Sequence, residues 1–546
     1  MTSDLELLFQ KGYVYSYIDS IIVGYNLDRV FIGEILQFID EKSELLGVVM
    51  DIEPTHVKIV LVHGNDKALK AGDLILRTYK AAETKGGFST LGRIVDPFGN
   101  CFNRKELDDY KYFLDDLFNT KIVKMEIPAP GIIEREPVRT PVLTGLNAID
   151  TLIPIGAGQR ELILGDQGTG KTSMAVTIVI NQNRFNNNFW RDIEKENIIN
   201  KHIFYIPCIY VVVGGKRSEQ ARMKKLLEKK EAFYYTSLVF TSADIMPGLQ
   251  YFSTNGGCAI GEWFRNNGYR AIIVYDDLTN HATAYRQLSL LLRRPPGREA
   301  YPGDIFYVHA KLLERAAQMN RANGGGSLTA LPIVTTKAGD ISGYIPTNVI
   351  SITDGQVFLT TKLANQGIFP AIDLNLSVSR VGSDAQAPSM KMVSRQVKVD
   401  YSMYRTYSGV EKLGGDIPSN ILGYINRGKK LISFFTQDLY ETCSLYKQVF
   451  SLYALSGGYT DRIQSDLIKY YLDLLFDDKL CIEYLNPVKA WYIYATNDID
   501  KAMRVFELDV LKEPWEEVLV TFRNLWETEF AFGVVDFFNK LKGNNE

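Results

Sequence analysis

The apolar positions of this 546-residue chain change their spacing twice, which divides the chain into three regions. Between about residues 12 and 97, short apolar runs alternate with turns made of Gly, Asp and Asn. The runs lie at residues 21–23, 35–38, 47–50, 57–62 and 73–76. Many short β-rich runs at this spacing predict a small N-terminal β-barrel, a closed sheet that leaves no strand edge exposed.

A different alternation follows a proline-rich stretch at residues 128–131. Strand-like runs at residues 161–164, 208–213, 271–275, 331–335 and 350–353 are separated by helical stretches. This alternation predicts a central α/β domain with a mostly parallel sheet and helices on its faces.

The β signal fades from about residue 401. Apolar spacing at residues 417–428, 431–455 and 467–476 is compatible with helices, and Gly-Gly at 457–458 and Asn-Pro at 486–487 interrupt it. The chain is therefore expected to be multidomain. We expect a β-barrel at 1–100, a linker at 101–131, an α/β domain at 132–384, and a C-terminal α-helical domain with a divergent tail at 385–546.

Charge and cysteine usage exclude several classes of protein. The chain has 61 Lys and Arg residues and 64 Asp and Glu residues, which gives a net charge of −3. Proteins that bind nucleic acids or anionic membranes usually carry an excess of basic residues instead. Five widely separated cysteines without a CxxC pair argue against a disulfide framework or a zinc site. No apolar run reaches the roughly 20 residues that cross a bilayer, and residues 1–10 resemble neither a secretory signal nor a transit peptide.

One motif carries phosphate chemistry. Residues 165–172 read GDQGTGKT, which fits GxxxxGK[ST], and they lie between a strand-like run and an apolar stretch at 174–180. The glycines let backbone N–H groups face phosphates at the positive end of a helix, Lys171 would neutralise the outer phosphates, and the Thr172 hydroxyl would coordinate Mg²⁺. The alternative is a glycine-rich turn before a helix. We predict that ATP or ADP is held by Gly165, Asp166, Gln167, Gly168, Thr169, Gly170, Lys171, Thr172 and Ser173.

Two acids follow the run at residues 271–275. A carboxylate at the end of such a strand can hold Mg²⁺ through water, opposite the phosphate loop. Aspartate also ends many strands without any ligand, so the signal depends on the loop. We favour Asp276 over Asp277 as the residue that holds the metal.

Seven further segments carry a family resemblance. They are GEWFR at 261–265, YDDL at 275–278, AYRQ at 284–287, LLLRRPPGREAYPGD at 290–304, GGGSLTALP at 324–332, YIPTNVISITDGQ at 344–356 and LSVSRVGS at 376–383. These segments resemble the alpha subunits of F-type ATP synthases, and the resemblance runs from about residue 12 to 440, most densely between 128 and 383. It implies a β-barrel, a RecA-like P-loop nucleotide-binding domain and a helical domain. It also implies a heterohexamer with alternating beta subunits, around a central-stalk gamma subunit and attached to peripheral-stalk subunits.

The resemblance also suggests which chemistry is kept. Beta subunits of the family carry a Glu that activates water, and the matching position here is Gly215, which has no side chain. Glu262 is a rival base, but we interpret it as a helix-start residue. Arg380 matches the arginine finger that alpha subunits lend to the neighbouring beta site, with Ser351 and Asp354 at the same interface. The alternative for Arg380 is a salt bridge across that interface.

Some positions depart from the family pattern. Gln167 and Gly168 replace Arg-Gln, which removes a positive charge near the phosphates. In the adenine pocket Pro370 and Gln437 match, whereas Phe369 replaces Arg and Leu439 replaces Gln; an aromatic ring at 369 could stack on the purine. By resemblance, the loop at 293–298 belongs to the sleeve around the central stalk.

Three functions are compatible with these observations: a non-hydrolysing, regulatory nucleotide-binding subunit supporting proton-gradient-driven ATP synthesis, a catalytic beta-type ATPase, and a hexameric RNA-translocating motor. Gly215 disfavours the second, and the charge balance disfavours the third. Membrane contact is expected only through the rest of the complex. The many Tyr, Phe, Asn and Lys residues indicate an AT-rich genome, so we expect the matrix side of a mitochondrial inner membrane, with a bacterial or plastid membrane as the alternative.

Overall fold

The computed structural model of the chain describes residues 11–27, 29–39, 44–63, 69–102, 121–186, 205–408, 418–461 and 463–475. Expectations for residues 103–120, for Cys481 and for the tail after residue 475 lie outside this part. The chain forms two compact units. The first comprises residues 1–138, 156–366 and 371–381, and the second comprises residues 139–155, 367–370 and 382–546.

The first unit begins with six antiparallel strands: β1 Lys11–Ile18, β2 Ile21–Tyr25, β3 Glu34–Ile39, β4 Glu44–Ile52, β5 Val57–His63 and β6 Leu74–Ala81. They close into a barrel in the order β1-β2-β5-β4-β3-β6, which confirms the predicted barrel. Alternate side chains point inward, and Leu36, Leu45 and Ile59 are fully buried. The sequence pattern did not predict β1, because its inward positions include Gly12 and two of its tyrosines, Tyr13 and Tyr15, are exposed.

The remaining strands are β7 Glu83–Gly86, β8 Arg93–Val95, β9 Lys121–Lys124, β10 Pro141–Val142, β11 Ile155–Gly156, β12 Leu162–Asp166, β13 Cys208–Gly215, β14 Thr236–Ser242, β15 Arg270–Asp276, β16 Ser327–Thr336, β17 Gly355–Leu359 and β18 Val378–Ser379. Eight of them form one sheet in the order β18-β17-β12-β16-β15-β13-β14-β8. All neighbours are parallel except β18, which runs antiparallel to β17. This is the predicted α/β domain.

The helices are α1 Asn147–Leu152, α2 Lys171–Asn181, α3 Asn183–Asn186, α4 Arg217–Lys229, α5 Pro247–Asn266, α6 Leu278–Leu291, α7 Ile305–Leu313, α8 Tyr344–Ile352, α9 Thr361–Asn365, α10 Pro388–Tyr407, α11 Ser419–Phe435, α12 Leu445–Ser456 and α13 Ile468–Leu475. Helix α5 packs directly on the sheet, because Gly257 and Gly261 meet Val211 and Leu328 with no room for a Cβ atom. None of the helices in the described part of the chain has the length and apolar character needed to span a bilayer.

The second unit is helical, as predicted, with α1 and α10 to α13. The buried carboxylate of Asp150 accepts hydrogen bonds from the Thr144 N–H and hydroxyl, at 2.9 and 2.7 Å, and from Gln448 Nε2 at 2.9 Å. These bonds tie α1 to α12. The single helix predicted at residues 431–455 is wrong, since α11 ends at Phe435 and α12 begins at Leu445, where the Ser444 hydroxyl caps it.

The strand predicted at residues 350–353 is also wrong. Residues 350–352 are the end of helix α8, residue 353 caps that helix, and the strand begins only at Gly355. The β-branched residues misled the prediction. Ile345, Val349 and Ile352 are the buried ones, and their spacing of four and three residues is that of a helix face.

Two buried histidines lie side by side on α6 and α7. His281 Nδ1 is 3.3 Å from His309 Nε2, and His281 Nε2 is 3.3 Å from the Tyr251 carbonyl. If Nε2 of His281 donates to that carbonyl, its Nδ1 must accept from His309, so both rings are neutral. Burial lowers the pKa of His281 to about 4 and, together with His281, lowers that of His309 to about 3.

The pair predicts an acid-sensitive fold. In the unfolded chain both histidines take up protons below about pH 6.5, whereas the folded pair resists protonation down to about pH 4. The free energy of unfolding should therefore fall as the pH drops through this window. Denaturation midpoints at pH 7.5 and 4.5 should differ less for His281→Asn than for the wild type. His56→Asn, at a partly exposed site, is the control; equal pH dependence in all three chains would contradict the prediction.

Candidate functional site

The phosphate motif forms a loop between β12 and α2. Gly168 and Gly170 have φ angles of +83° and +96°, a left-handed conformation that favours glycine. The buried Lys171 ammonium donates to the Asp166 carbonyl at 2.6 Å, across the loop. Burial lowers the pKa of Lys171, and the nearby acids Asp277, Asp276 and Asp166 oppose this fall. The loop therefore gathers a buried cation beside the N-terminus of α2, an arrangement suited to an anion.

The other predicted loop residues occupy distinct places. Gln167 and Thr172 are exposed, Ser173 is half-buried in the first turn of α2, and Thr169 is buried with its hydroxyl donating to the Asp166 carbonyl at 2.8 Å. The Asp166 carboxylate accepts from the Thr336 hydroxyl at 2.6 Å and from the Gly339 N–H at 2.8 Å. Asp166 therefore anchors the loop to the end of β16 and leaves the phosphate side to Lys171 and the glycines.

Asp276, at the end of β15, meets the phosphate loop. Its Oδ2 accepts from Thr172 Oγ1 at 2.9 Å and from the Tyr210 hydroxyl at 2.8 Å. Burial raises the pKa of Asp276 to about 6, the Asp277 charge adds to the rise, and the two hydrogen bonds oppose it. Asp277 accepts instead from the Asn280 N–H and the Thr335 hydroxyl, at 2.7 and 2.8 Å, and its charge also acts on Lys171. The structure thus brings together Thr172 and Asp276, as favoured over Asp277.

The Thr172 and Asp276 oxygens fit a magnesium site. Octahedral Mg²⁺ with bonds of about 2.1 Å holds neighbouring oxygens about 3 Å apart, close to the 2.9 Å between these two atoms. No group of three or more His, Cys, Asp or Glu residues gathers in the described part of the chain. A cation here would take its other ligands from phosphates and water, as Mg²⁺ commonly does.

Tyr210 is a site residue that the sequence analysis missed. It is fully buried in β13, and its hydroxyl fixes the Asp276 carboxylate. The one available signal was a single hydroxyl in the otherwise apolar run CIYVVV at residues 208–213. That signal is weak, because tyrosine is common in strands for its packing alone.

The position expected to activate water has no room for a side chain. Gly215 ends β13, and a Cβ there would lie 2.6 Å from Val212 Cγ1 and 3.1 Å from the Phe240 ring. Its neighbour Gly214 has a φ of +65°, again a conformation for glycine. The nearest acid along the chain, Glu219, accepts from the Lys216 N–H at 3.4 Å, at the start of its own helix α4.

The interpretation of Glu262 as a helix-start residue is wrong. Glu262 lies in the last third of α5, 1% exposed, and its carboxylate faces the buried guanidinium of Arg315. Arg315 Nε donates to Oε1 at 3.0 Å, Nη2 bonds Oε2, and Arg265 lies 3.6 Å away. A carboxylate held in this way is part of the core and does not face the phosphate loop.

Arg380 lies at the opposite end of the sheet from the phosphate loop. It follows β18, and its N–H donates to the Asp354 carbonyl, just before β17, at 2.8 Å. This is the amino end of the parallel strands, whereas the phosphate loop follows the carboxyl end of β12. The five residues of β12 span about 17 Å. The exposed guanidinium of Arg380 has no hydrogen bond or ion pair among the described residues.

The other expected interface residues lie close to Arg380. Ser351 is exposed on α8, and its hydroxyl donates to the Asn348 carbonyl at 2.7 Å. The Asp354 carboxylate is paired within the chain with Arg160, whose Nε and Nη2 donate to it at 3.0 and 2.7 Å.

The expected adenine residues belong to the second unit. Pro370 is half-buried beside Phe369, which is 40% exposed. The buried Gln437 amide is committed at both ends: Oε1 accepts from the Asn147 N–H at 2.7 Å, and Nε2 donates to the Gly145 carbonyl at 3.0 Å. These bonds hold α1 to the end of α11. Contact of Pro370 and Gln437 with a purine stays a prediction.

Comparison with known proteins gives consistent matches along the chain. The model of the ATP synthase alpha/beta family, nucleotide-binding domain, matches residues 145–379, and that of the ATP synthase alpha/beta chain, C terminal domain, matches residues 386–479. ATP synthase subunit alpha of Orientia tsutsugamushi, strains Ikeda and Boryong, is 43% identical over 468 residues, 86% of this chain and 87% of the relative. ATP synthase subunit alpha of Neorickettsia sennetsu is 44% identical over 452 residues, 83% of this chain and 84% of the relative.

Proposed function

The chain belongs to the ATP synthase alpha/beta family, and from that premise we propose that it is the non-hydrolysing, regulatory alpha subunit of an F-type ATP synthase headpiece. It binds ATP or ADP at the loop around Lys171 without turning it over. It lends Arg380 to the catalytic site of a neighbouring beta subunit, where the guanidinium stabilises charge on the transferring phosphate.

The observation that carries this proposal is the separation of Lys171 from Arg380. Arg380 lies at the amino end of the strands, and the length of β12, about 17 Å, separates that end from the phosphate loop, so Arg380 is poorly placed to contact a phosphate held there. Its exposed side chain is available to a neighbour. Alternating subunits around a ring would bring such an edge against the next subunit's nucleotide.

The glycine at the position expected to activate water supports the non-hydrolysing role. Hydrolysis needs a carboxylate or amide to orient the attacking water. Gly215 offers none, and Glu219 and Glu262 are committed to α4 and to Arg315. The pocket is therefore suited to holding a nucleotide.

Thr172 and Asp276 would hold Mg²⁺, the latter directly or through a water molecule. The cation would neutralise phosphate charge when bound. Lys171 would bind the outer phosphate oxygens, and the loop N–H groups would orient them. The loss of arginine at Gln167 leaves Lys171 as the main cation of the loop.

The partners of the proposal are beta subunits, a central-stalk gamma subunit and peripheral-stalk subunits, which together couple a proton gradient to ATP synthesis. The three relatives are bacterial, so they support the bacterial alternative for location, and the mitochondrial inner membrane rests only on the composition of the chain. The segment bounds at residues 100, 131 and 384 and the adenine contacts of Pro370 and Gln437 also belong to this proposal.

Binding by the purified full-length chain tests the nucleotide site. We expect Lys171→Ala to weaken ATP binding about 100-fold. The substitution removes the ammonium group and its charged hydrogen bonds to phosphate, which are worth about 3 kcal/mol. Isothermal titration would measure the affinity, and equal unfolding midpoints would show that the variant folds. Lys225→Ala, at an exposed lysine on α4, should bind as the wild type does. Unchanged affinity in Lys171→Ala would contradict the site.

A further inference from the structure

The segment that carries Arg380 has few backbone bonds to hold it. Strand β18 consists of two residues at the edge of the sheet, paired with β17 at Gly355 and Gln356. Val378 is 48% exposed, so burial anchors it weakly. The direction of Arg380 must therefore depend on side chains near the start of β17 and β12.

The side chain of Gln159 holds strand β18 through Ser379. It is fully buried; its Oε1 accepts from the Gly156 N–H at 2.8 Å, which fixes the orientation of the amide. Its Nε2 then donates to the Ser379 hydroxyl at 3.1 Å and to Glu161 Oε2 at 2.8 Å. The residue directly before Arg380 is thus tied to the segment that precedes β12.

Two acids lie near Arg380, and either could capture its guanidinium. Glu161 is fully buried against Gly355. Burial raises the pKa of Glu161 well above its usual range, the Asp354 charge adds to the rise, and the Gln159 bond and the Arg380 charge oppose it. Burial therefore favours the protonated, neutral form of Glu161, which weakens its attraction for Arg380.

Asp354 is the second acid, and its carbonyl accepts a hydrogen bond from the Arg380 N–H, so the backbones of the two residues are neighbours. Arg160 occupies its carboxylate with three donors: the backbone N–H at 3.0 Å, Nε at 3.0 Å and Nη2 at 2.7 Å. The remaining Nη1 of Arg160 pairs with Glu314, which Arg135 also binds, at 3.1 Å. A fork-shaped pair of this kind satisfies the carboxylate geometrically as well as electrostatically.

Resting on the proposed role of Arg380, we infer that Arg160 is its positioning residue: by occupying Asp354, Arg160 keeps the Arg380 guanidinium from being captured within its own subunit. Without Arg160, Asp354 would be left as a partly buried carboxylate beside Arg380, whose exposed guanidinium makes no ion pair among the described residues. The finger would then fold back onto its own chain. Arg160 touches no substrate in this scheme.

Chemical labelling of the purified full-length chain tests the inference directly. Phenylglyoxal reacts with free guanidinium groups, and mass spectrometry gives its rate at Arg380. We expect Arg160→Ala to slow the labelling of Arg380 about 10-fold, as a new ion pair protects it. Adding Asp354→Asn to Arg160→Ala should restore the rate, because the amide cannot hold the guanidinium in an ion pair.

Arg135→Ala is the matched control, since Arg135 shares Glu314 with Arg160 but does not touch Asp354. Its labelling of Arg380 should equal that of the wild type. An unchanged rate in Arg160→Ala, or a slowed rate that Asp354→Asn leaves slowed, would overturn the inference.

Turnover of the assembled complex separates this inference from the proposed function. Arg160→Ala should lower kcat about 10-fold or more with KM within about twofold, and in the Asp354→Asn background the same change should cost less than about twofold. Equal costs in both backgrounds would indicate a merely structural role for Arg160. If Arg380→Ala itself leaves turnover intact, the finger is wrong whatever Arg160 does.

Discussion

Replacing Arg380 by alanine should lower ATP hydrolysis by the assembled complex about 10³-fold or more. An arginine supplied by a neighbour stabilises the charge on the transferring phosphate, and such fingers are worth about 10³ to 10⁵ in kcat. Because the guanidinium is exposed and makes no bond within the described part of its own chain, its loss should leave the fold intact. Steady-state phosphate release by purified complexes of equal subunit composition would measure the effect.

The control must remove an exposed arginine elsewhere. Arg222→Ala, on α4, should retain wild-type turnover, since α4 lies far along the sheet from β18. Arg380→Ala should also keep the affinity of the Lys171 pocket for ATP, which separates loss of the finger from loss of binding. If the complexes with Arg380→Ala and Arg222→Ala have the same turnover, Arg380 is an interface contact and not an arginine finger.

The second large effect concerns stability. Glu262→Ala should destabilise the first unit by about 3–5 kcal/mol, because it leaves the buried guanidinium of Arg315 without its carboxylate. Arg315 keeps one bond to the Met125 carbonyl, at 2.8 Å, which does not neutralise its charge. In a unit of this size the thermal midpoint should fall by about 5 °C. Calorimetry on the purified chain would measure the shift.

An exposed pair of similar geometry provides the comparison. Arg217 and Asp244 are 2.8 Å apart, and their side chains are 74% and 60% exposed. Water screens such pairs, so Arg217→Ala should leave the midpoint unchanged. If Glu262→Ala and Arg217→Ala have the same thermal midpoint, burial adds no stability to the Glu262–Arg315 pair. Our interpretation of Glu262 as a core residue would then be wrong.

Local pattern was sufficient for much of the fold. Short apolar runs bounded by turn residues predicted five barrel strands, and the strand-like runs at 161–164, 208–213, 271–275 and 331–335 all lie within or overlap sheet strands. Pattern failed where it conflicts with tertiary context. At residues 350–353 β-branched side chains lie on a helix because every third or fourth residue faces the core. Strand β14 was missed, although it is buried along its whole length.

The site was predictable where its residues are close in sequence, or where an acid ends a strand opposite the phosphate loop, as Asp276 does. The loop from Gly165 to Thr172 could be predicted from its local sequence, because its glycines and the helix that follows determine its conformation. The Glu262–Arg315 and Arg160–Asp354 pairs join residues 53 and 194 positions apart, and strand order alone decides that they meet. One sequence does not reveal that order. It follows that Arg380 was found by resemblance and Arg160 only from the structure.

The central claim is that the pocket around Lys171 holds ATP without hydrolysing it. ATP labelled at the γ-phosphate, loaded at one equivalent onto the purified full-length chain, tests this in a single turnover. We expect the label to stay on the nucleotide, and the wild-type chain to release no more free phosphate than the Lys171→Ala chain does. Release of labelled phosphate from the wild-type chain alone, and its loss in Lys171→Ala, would contradict it.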